Sequence, residues 1–183
     1  ELPELPLADV TAYSIDDSQT TEIDDALSVQ GLGSGKVTLG IHIAAPGLSM
    51  QVGDALDAIA RARLSTVYMP GYKITMLPDH LVQRHTLAEG ANCPALSLYV
   101  EFNETDFSVL GHHTRVQRVP IGANVRHDQL DAGVTAQWLE DANHSWPQNC
   151  PEPAMPREQM VWLYRLALHL KHAREQVRGK PEN

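Results

Sequence analysis

Apolar and polar positions in the first part of the chain alternate over short runs, which is the pattern of half-buried β-strands. A strand is predicted over residues 11–15. Residues 27–29 and 36–44 alternate on either side of the glycine-rich segment 31–35, which predicts a hairpin. The same pattern returns in two runs between residues 96 and 119 around a polar turn, so a second hairpin is expected there.

Three other segments are predicted to be helical. Residues 54–64 form the first, Asp79 is expected to cap a short second helix that continues to Leu87, and residues 157–178 form a long third helix. The long helix carries an apolar stripe that predicts a face turned toward the core. The stripe comprises Met160, Leu163, Leu166, Ala167 and Leu170.

Strands and helices in this order predict an α+β fold, in which a mixed or antiparallel sheet is covered by helices. The chain has 183 residues, which suits one sizeable core. Residues 1–10, with their prolines and alternating acids and leucines, predict an extended lead-in, and residues 11–183 are assigned to one domain.

The overall charge argues against a nucleic-acid partner. The formal net charge is −9, from 23 acidic residues against 14 lysines and arginines, whereas proteins that bind nucleic acid usually present a basic face. Cys93 and Cys150 lack the paired spacing of a zinc site or a disulfide framework. Neither a signal peptide nor an apolar run of the ~18 residues that a membrane span needs is found. The sequence thus predicts a cytoplasmic protein without a membrane partner.

The strongest chemical signal is a group of acids between residues 16 and 25. Five carboxylates lie in these ten residues, which contain no lysine or arginine, and isoleucines precede both Asp-Asp pairs. Carboxylates that converge on folding repel one another unless a cation offsets the repulsion. Oxygen ligands without histidine or cysteine favour Mg²⁺, with Mn²⁺ as a possible substitute, and Mg²⁺ sites often include a substrate phosphate. The expected substrate is therefore a phosphate ester.

Two other interpretations of the acids were weighed. An EF-hand calcium loop would need glycine at its sixth position and glutamate at its twelfth, but Thr21 and Leu27 stand there. The second interpretation is a solvated acidic loop without a chemical role, in which Thr21 caps a short turn against Asp24. The apolar flanks of the acids weigh against it, because they place the carboxylates beside a core.

The residues around the acids resemble the signature of the ribonuclease II / ribonuclease R family, whose catalytic module is the RNB domain. The resemblance continues in the same order and spacing over about residues 10–130. The segments that carry it are residues 13–16, 23–27, 39–44, 65–71, 74–78 and 96–101.

This resemblance implies a processive exoribonuclease that hydrolyses single-stranded RNA in the 3′→5′ direction with Mg²⁺ and releases nucleoside 5′-monophosphates. The four family acids correspond to Asp16, Glu22, Asp24 and Asp25, of which Asp16, Asp24 and Asp25 are the predicted metal ligands. Glu22 stands where aspartate is commoner. Tyr68 matches the tyrosine that stacks on an RNA base; by itself it would be interpreted as a half-buried core residue.

The resemblance further implies an incomplete site. The family module is longer, and its arginine that contacts the phosphate has no match in this chain. The expected partners are therefore single-stranded RNA, the remainder of the catalytic domain and flanking RNA-binding domains, and the chain alone is predicted to be nearly inactive. The alternative is a catalytically inactive RNB-like module that binds RNA or protein, which the acidic charge and Glu22 would fit.

Overall fold

The computed structural model describes residues 4–141 and 143–182. The strands are β1 (Ala12–Asp16), β2 (Asp25–Gln30), β3 (Lys36–Ala44), β4 (Val67–Met69), β5 (Tyr72–Ile74), β6 (Asn92–Asn103) and β7 (Val109–Arg126). The helices are α1 (Ala55–Arg63), α2 (Asp79–His85), α3 (His127–Asp131), α4 (Ala136–Glu140) and α5 (Arg157–Arg178), and a short 3₁₀ helix spans Pro46–Ser49.

Five strands close into a barrel in the order β1-β2-β3-β6-β7. Neighbouring strands run antiparallel except where β1 and β7 close the barrel side by side in parallel. Strands β4 and β5 form a separate hairpin outside the barrel. The α+β class and the mixed sheet are thus confirmed, and the closure between the first and last strands is what the tertiary structure adds.

Most predicted elements are present, and the ends of β1, β2, α1 and α2 lie within two residues of the predicted ends. Strands β6 and β7 extend beyond the predicted hairpin arms, because the barrel provides partners along the whole of both strands. The prediction that Asp79 caps α2 is wrong, because Asp79 is the first residue of the helix and Pro78 occupies the cap position without a side-chain hydrogen bond. The helix ends at His85. A carboxylate in the first helical turn is still favoured by the helix dipole.

Helix α5 has the bounds predicted for it and covers the outer face of the barrel. Its Trp162 and Leu166 pack with Val37, Leu39 and Phe102 in one of the apolar clusters. The predicted core stripe is only partly correct, because Leu170 is 42% exposed. The buried residues of α5 all lie in its first half, although His169 in the second half still contacts Phe107, in the turn between β6 and β7.

The barrel interior contains a buried polar network around His42. The two ring nitrogens lie 2.8 Å from the hydroxyls of Ser28 and Ser97, on the neighbouring strands β2 and β6. All three side chains are almost completely buried. Burial disfavours the charged imidazole and lowers the pKa of His42 to about 4. The ring is therefore neutral and fully hydrogen-bonded in the folded protein at neutral pH.

Gly40 makes room for this network. A Cβ atom at position 40 would lie 2.6 Å from Nε2 of His42 and would also clash with the Ser28 hydroxyl.

Within residues 4–141 and 143–182, no helix combines the length and the apolar composition that crossing a membrane requires.

Candidate active site at the acid loop

The acid loop, defined as residues 16–25, connects β1 to β2. Asp16 is the last residue of β1 and Asp25 the first residue of β2. The antiparallel pairing of these strands, with Tyr13 opposite Leu27, returns the chain beside its starting point. The two ends of the loop therefore lie at the same end of the barrel.

The second half of the acid loop is fixed by the barrel and by the segment after α2. Ile23 is buried in an apolar cluster. Its N–H donates to Oγ1 of Thr86 over 2.8 Å, and its carbonyl accepts from the N–H of Leu87 over 2.9 Å. The carbonyl of Asp24 accepts from the N–H of Ala44 over 2.8 Å. These bonds fix the backbone at Ile23 and Asp24.

The first half of the loop is held by Arg126, the last residue of β7. The parallel pairing of β1 and β7 places Arg126 opposite Asp16. The guanidinium donates to the backbone carbonyls of Asp17 and Thr20 over 2.9 and 3.2 Å. This arginine therefore contacts the loop backbone, and its charge lies near the acids without neutralising one of their carboxylates directly.

The structure brings the four predicted acids into one electrostatic group. Partial desolvation raises the pKa of Asp24, and the negative charges of Glu22, Asp25 and Asp16 raise it further, in that order. Lys73 opposes them and lowers it. Because all three acids act on Asp24, they lie close enough to repel it, which is the situation that a bound cation relieves.

A second observation that points to a cation site concerns the carboxylate of Asp16. Its Oδ2 atom is buried and has no hydrogen-bond partner among the described residues. A buried acceptor without a partner is costly, and such groups commonly mark an ion or a water site. An oxygen of this kind beside other carboxylates fits a hard divalent cation in donor type.

The described side chains of the acid loop, in contrast, are not arranged as a metal site. Over residues 4–141 and 143–182, no three acidic, histidine or cysteine side chains form a group that could hold an ion. Asp17 lies apart: its side chain is 80% exposed and pairs with Nδ1 of His127 over 3.1 Å. The donor chemistry of the acid loop therefore fits Mg²⁺, while its side chains would still have to move together to bind it.

Glu22 has a different partner from the other acids. Its carboxylate forms an ion pair with Nζ of Lys73, 2.8 Å away on strand β5. The same ammonium group donates to Oγ1 of Thr21 over 3.1 Å. The carboxylate of Glu22 is thus engaged by the neighbouring hairpin.

That hairpin, formed by β4 and β5, presents aromatic side chains to solvent. Tyr68 is 73% exposed and Tyr72 is 66% exposed, so Tyr68 is not the half-buried core residue that its isolated sequence context would suggest. Pro70 and Gly71 form the two-residue turn between the strands, and Gly71 adopts φ 74°, a left-handed conformation that favours glycine.

An open cleft of ≈ 630 Å³ lies between the acid loop and the hairpin, which is within the usual size range of ligand pockets. Glu22 lines it from the loop, and Tyr68, Tyr72 and Lys73 line it from the hairpin. Two tyrosine rings and one ammonium group therefore face a common space, and exposed aromatic rings are the groups on which unpaired bases stack. Of the four acids, Glu22 alone lines this cleft, and Asp24 lines a second cavity that it shares with Glu22.

Sequence reasoning missed three residues of this site: Lys73, Tyr72 and Arg126. Tyr72 could have been found, because it directly follows the Pro-Gly turn that begins after Tyr68 and Met69. Lys73 and Arg126 could not, because they lie 51 and 104 positions beyond Glu22 in sequence. Only the docking of the hairpin and the closure of the barrel bring them to the loop.

Comparison with known proteins gives a consistent result. Residues 5–181 match the family described as RNB domain. Exoribonuclease 2 of Pectobacterium atrosepticum is 34% identical over 169 residues, which cover 90% of this chain and 25% of that protein. The chain therefore spans about a quarter of the length of this curated relative.

Solved structures with the same fold include a ribonuclease and a pseudonuclease. RNase R of Mycoplasma genitalium in complex with ribose-methylated single-stranded RNA has a TM-score of 0.74 at 18% identity, covering 94% of this chain and 25% of that one. Yeast Ssd1, described as a pseudonuclease, has a TM-score of 0.68 at 17% identity, covering 98% of this chain and 20% of its own. At these identities the likeness concerns the fold alone.

Proposed function

Because the chain belongs to the RNB domain family, we propose that it forms part of a 3′→5′ exoribonuclease. This enzyme hydrolyses single-stranded RNA to nucleoside 5′-monophosphates with a divalent metal. The sequence relationship to exoribonuclease 2 supports a ribonuclease function. Direction, products and metal dependence are parts of the proposal.

One observation carries the proposal most directly: the shared electrostatics of the acid loop. Asp24 is repelled by Glu22, Asp25 and Asp16, and Asp16 contributes a buried oxygen that has no partner in the described part of the chain. A folded protein maintains such a destabilising group where function requires it. A cleft with exposed tyrosines beside the group supports a nucleic-acid substrate over a small phosphate ester.

Asp16, Asp24 and Asp25 are the proposed ligands for Mg²⁺ or Mn²⁺. When bound, the metal supplies charge for the phosphate and lowers the pKa of a water that attacks it. Asp24 is the acid that we propose to orient the attacking water or bind a second ion, because the charges of the other three acids all act on its carboxylate. Glu22 is the fourth acid that the family resemblance assigns to catalysis; its carboxylate pairs with Lys73, and it is not one of the proposed metal ligands.

Tyr68 is the proposed RNA-binding residue. Its exposed ring is free to stack on a base, and one such contact is worth about 1–3 kcal/mol without dependence on base identity. Single-stranded RNA suits this contact, because its bases are unpaired and can be stacked on an aromatic ring.

The proposed site is completed by other parts of the enzyme. Hydrolysis at phosphorus needs cationic stabilisation of the developing charge, and Lys73 and Arg126 are engaged by the acid loop itself. We therefore propose that the remainder of the catalytic domain supplies that cation and that flanking domains add RNA affinity. The isolated cysteines support the further proposal of a cytoplasmic compartment.

Nucleotide release from a labelled oligoribonucleotide tests these proposals. With Mg²⁺ we expect little or no turnover by this chain alone; robust turnover would contradict the need for a completing segment. In an enzyme that includes such a segment, Asp24→Asn should lower turnover at least about 100-fold, the usual scale for a group that contacts the reacting atoms. Asp17→Asn is the matched control and should change it less than about twofold.

A second candidate is an inactive RNB-like module that binds RNA or protein. The ion pair between Glu22 and Lys73, together with the absence of an assembled three-ligand group in the described part of the chain, favours it. The fold shared with the pseudonuclease Ssd1 is compatible with it. Calorimetric titration with Mn²⁺ separates the two: saturable binding that is lost in Asp24→Asn supports the enzyme, and no binding supports the inactive module.

A further inference from the structure

The ion pair between Glu22 and Lys73 connects two elements that are otherwise separate. Lys73 belongs to the β4–β5 hairpin, which is a sheet of its own outside the barrel. Glu22 belongs to the acid loop, and its side chain is only 12% exposed while that of Lys73 is 34% exposed. A pair that is this shielded from water is screened less than a surface pair.

The hairpin has few other means of keeping its position. All three residues of β4 are exposed, and a two-stranded hairpin is marginally stable by itself. Two further hydrogen bonds lie at its base, where Arg63 donates to the carbonyl of Thr75 over 2.8 Å and Met76 donates to Oγ1 of Thr66 over 3.2 Å. Neither bond reaches the acid loop.

The register of the hairpin places Tyr68 next to this ion pair. Tyr68 is directly opposite Lys73 in the antiparallel pairing, and residues directly opposite each other project from the same face of a sheet. The face that carries the Tyr68 ring is therefore the face through which Lys73 reaches Glu22.

We propose that Glu22 and Lys73 are positioning residues that hold Tyr68 at a set distance from Asp24. This proposal rests on the proposed function, because the distance between a stacked base and the acids matters only if an RNA strand joins them. Glu22 then acts through Lys73, and the metal ligands are Asp16, Asp24 and Asp25. Glutamate suits this role because its longer side chain extends to the hairpin.

Hydrogen exchange and Mn²⁺ titration of the whole chain test the proposal together. In Lys73→Met and in Glu22→Gln, exchange of the β4–β5 amides should become about tenfold faster, because the hairpin opens locally more often without the ion pair. Affinity for Mn²⁺ should stay within about threefold in both variants. Lys73→Arg should retain slow exchange, because the guanidinium preserves the charge.

A double variant with exchanged charges, Glu22→Lys with Lys73→Glu, should restore slow exchange relative to either single change. Lys36→Met is the matched control: Lys36 forms a similar pair with Glu101 over 2.9 Å on the barrel, and its loss should leave the hairpin unchanged. Affinity for a single-stranded oligoribonucleotide, measured by anisotropy, should fall about threefold to tenfold in Lys73→Met and not in Lys36→Met.

Two outcomes would overturn the inference. One is unchanged hairpin exchange in both Lys73→Met and Glu22→Gln. The other is loss of Mn²⁺ binding in Glu22→Gln while the hairpin stays protected, which would make Glu22 a metal ligand. If the unaltered chain binds neither Mn²⁺ nor RNA, the proposed function fails, and the exchange data still decide whether the pair holds the hairpin.

Discussion

Two polar groups in this protein, the His42 network and the acid loop, are built on opposite principles. In the network, both nitrogens of a neutral ring meet serine hydroxyls, and no charge is buried. In the acid loop, the carboxylates repel one another, and a buried oxygen of Asp16 has no hydrogen-bond partner within residues 4–141 and 143–182. The first group is satisfied within the fold, whereas the second keeps its repulsion there.

The difference indicates how stability and function are divided along the same strands. Strand β2 contributes Asp25 to the acid loop and Ser28 to the network, three residues further on. The network stabilises the barrel interior, and the loop remains electrostatically strained at the barrel end. The two groups should therefore respond in opposite ways to mutation and to acid.

The largest expected effect comes from filling the space beside His42. Gly40→Ala should lower the free energy of unfolding by about 4 kcal/mol, because the methyl group overpacks the interior and separates Ser28 from the ring. Urea denaturation measures it. Gly47→Ala is the control, since a Cβ there meets no atom within 4 Å. Equal stability of the two variants would show that the network is not tightly packed.

The second-largest expected effect is the loss of stability of the His42 network in acid. The pKa of His42 is lowered from 6.5 to about 4 by burial, so below pH 6.5 the unfolded chain binds a proton that the folded protein does not. The contribution of neutral His42 to the free energy of unfolding is complete above pH 6.5. Up to about 3 kcal/mol of it is lost as the pH falls toward 4. Denaturation at several pH values should give a flatter profile for His42→Gln, with His112→Gln, at an exposed position of β7, as the control.

The acid loop should show the smallest effect on stability and the opposite sign. The pKa of Asp24 is raised by desolvation and by its acidic neighbours, so protonation of Asp24 stabilises the fold and its charge destabilises it at neutral pH. Asp24→Asn should raise the free energy of unfolding by about 0.5–1 kcal/mol at pH 7. Asp17→Asn should leave it within about 0.3 kcal/mol, because Asp17 is largely exposed. Destabilisation by Asp24→Asn would contradict repulsion in the loop.

Much of the fold was predictable because its signals are local. The alternation around residues 31–35 predicted the hairpin of β2 and β3, and the helical periodicity predicted α5 with its observed bounds. The cap at Asp79 was wrong because Pro78 takes the position before the helix. The exposure of Leu170 was missed because periodicity indicates an apolar face and not how far another element covers it.

By itself the sequence determined the acid loop, its four candidate acids, Tyr68 and the family to which the chain belongs, because these depend on residue types at short spacing. The tertiary structure alone decided that Arg126 holds the loop, that Lys73 engages Glu22, and that His42 is buried and neutral. Each of these depends on residues far apart in sequence that meet only when the barrel closes and the hairpin docks. Charge, burial and hydrogen bonding at these positions are properties of that packing.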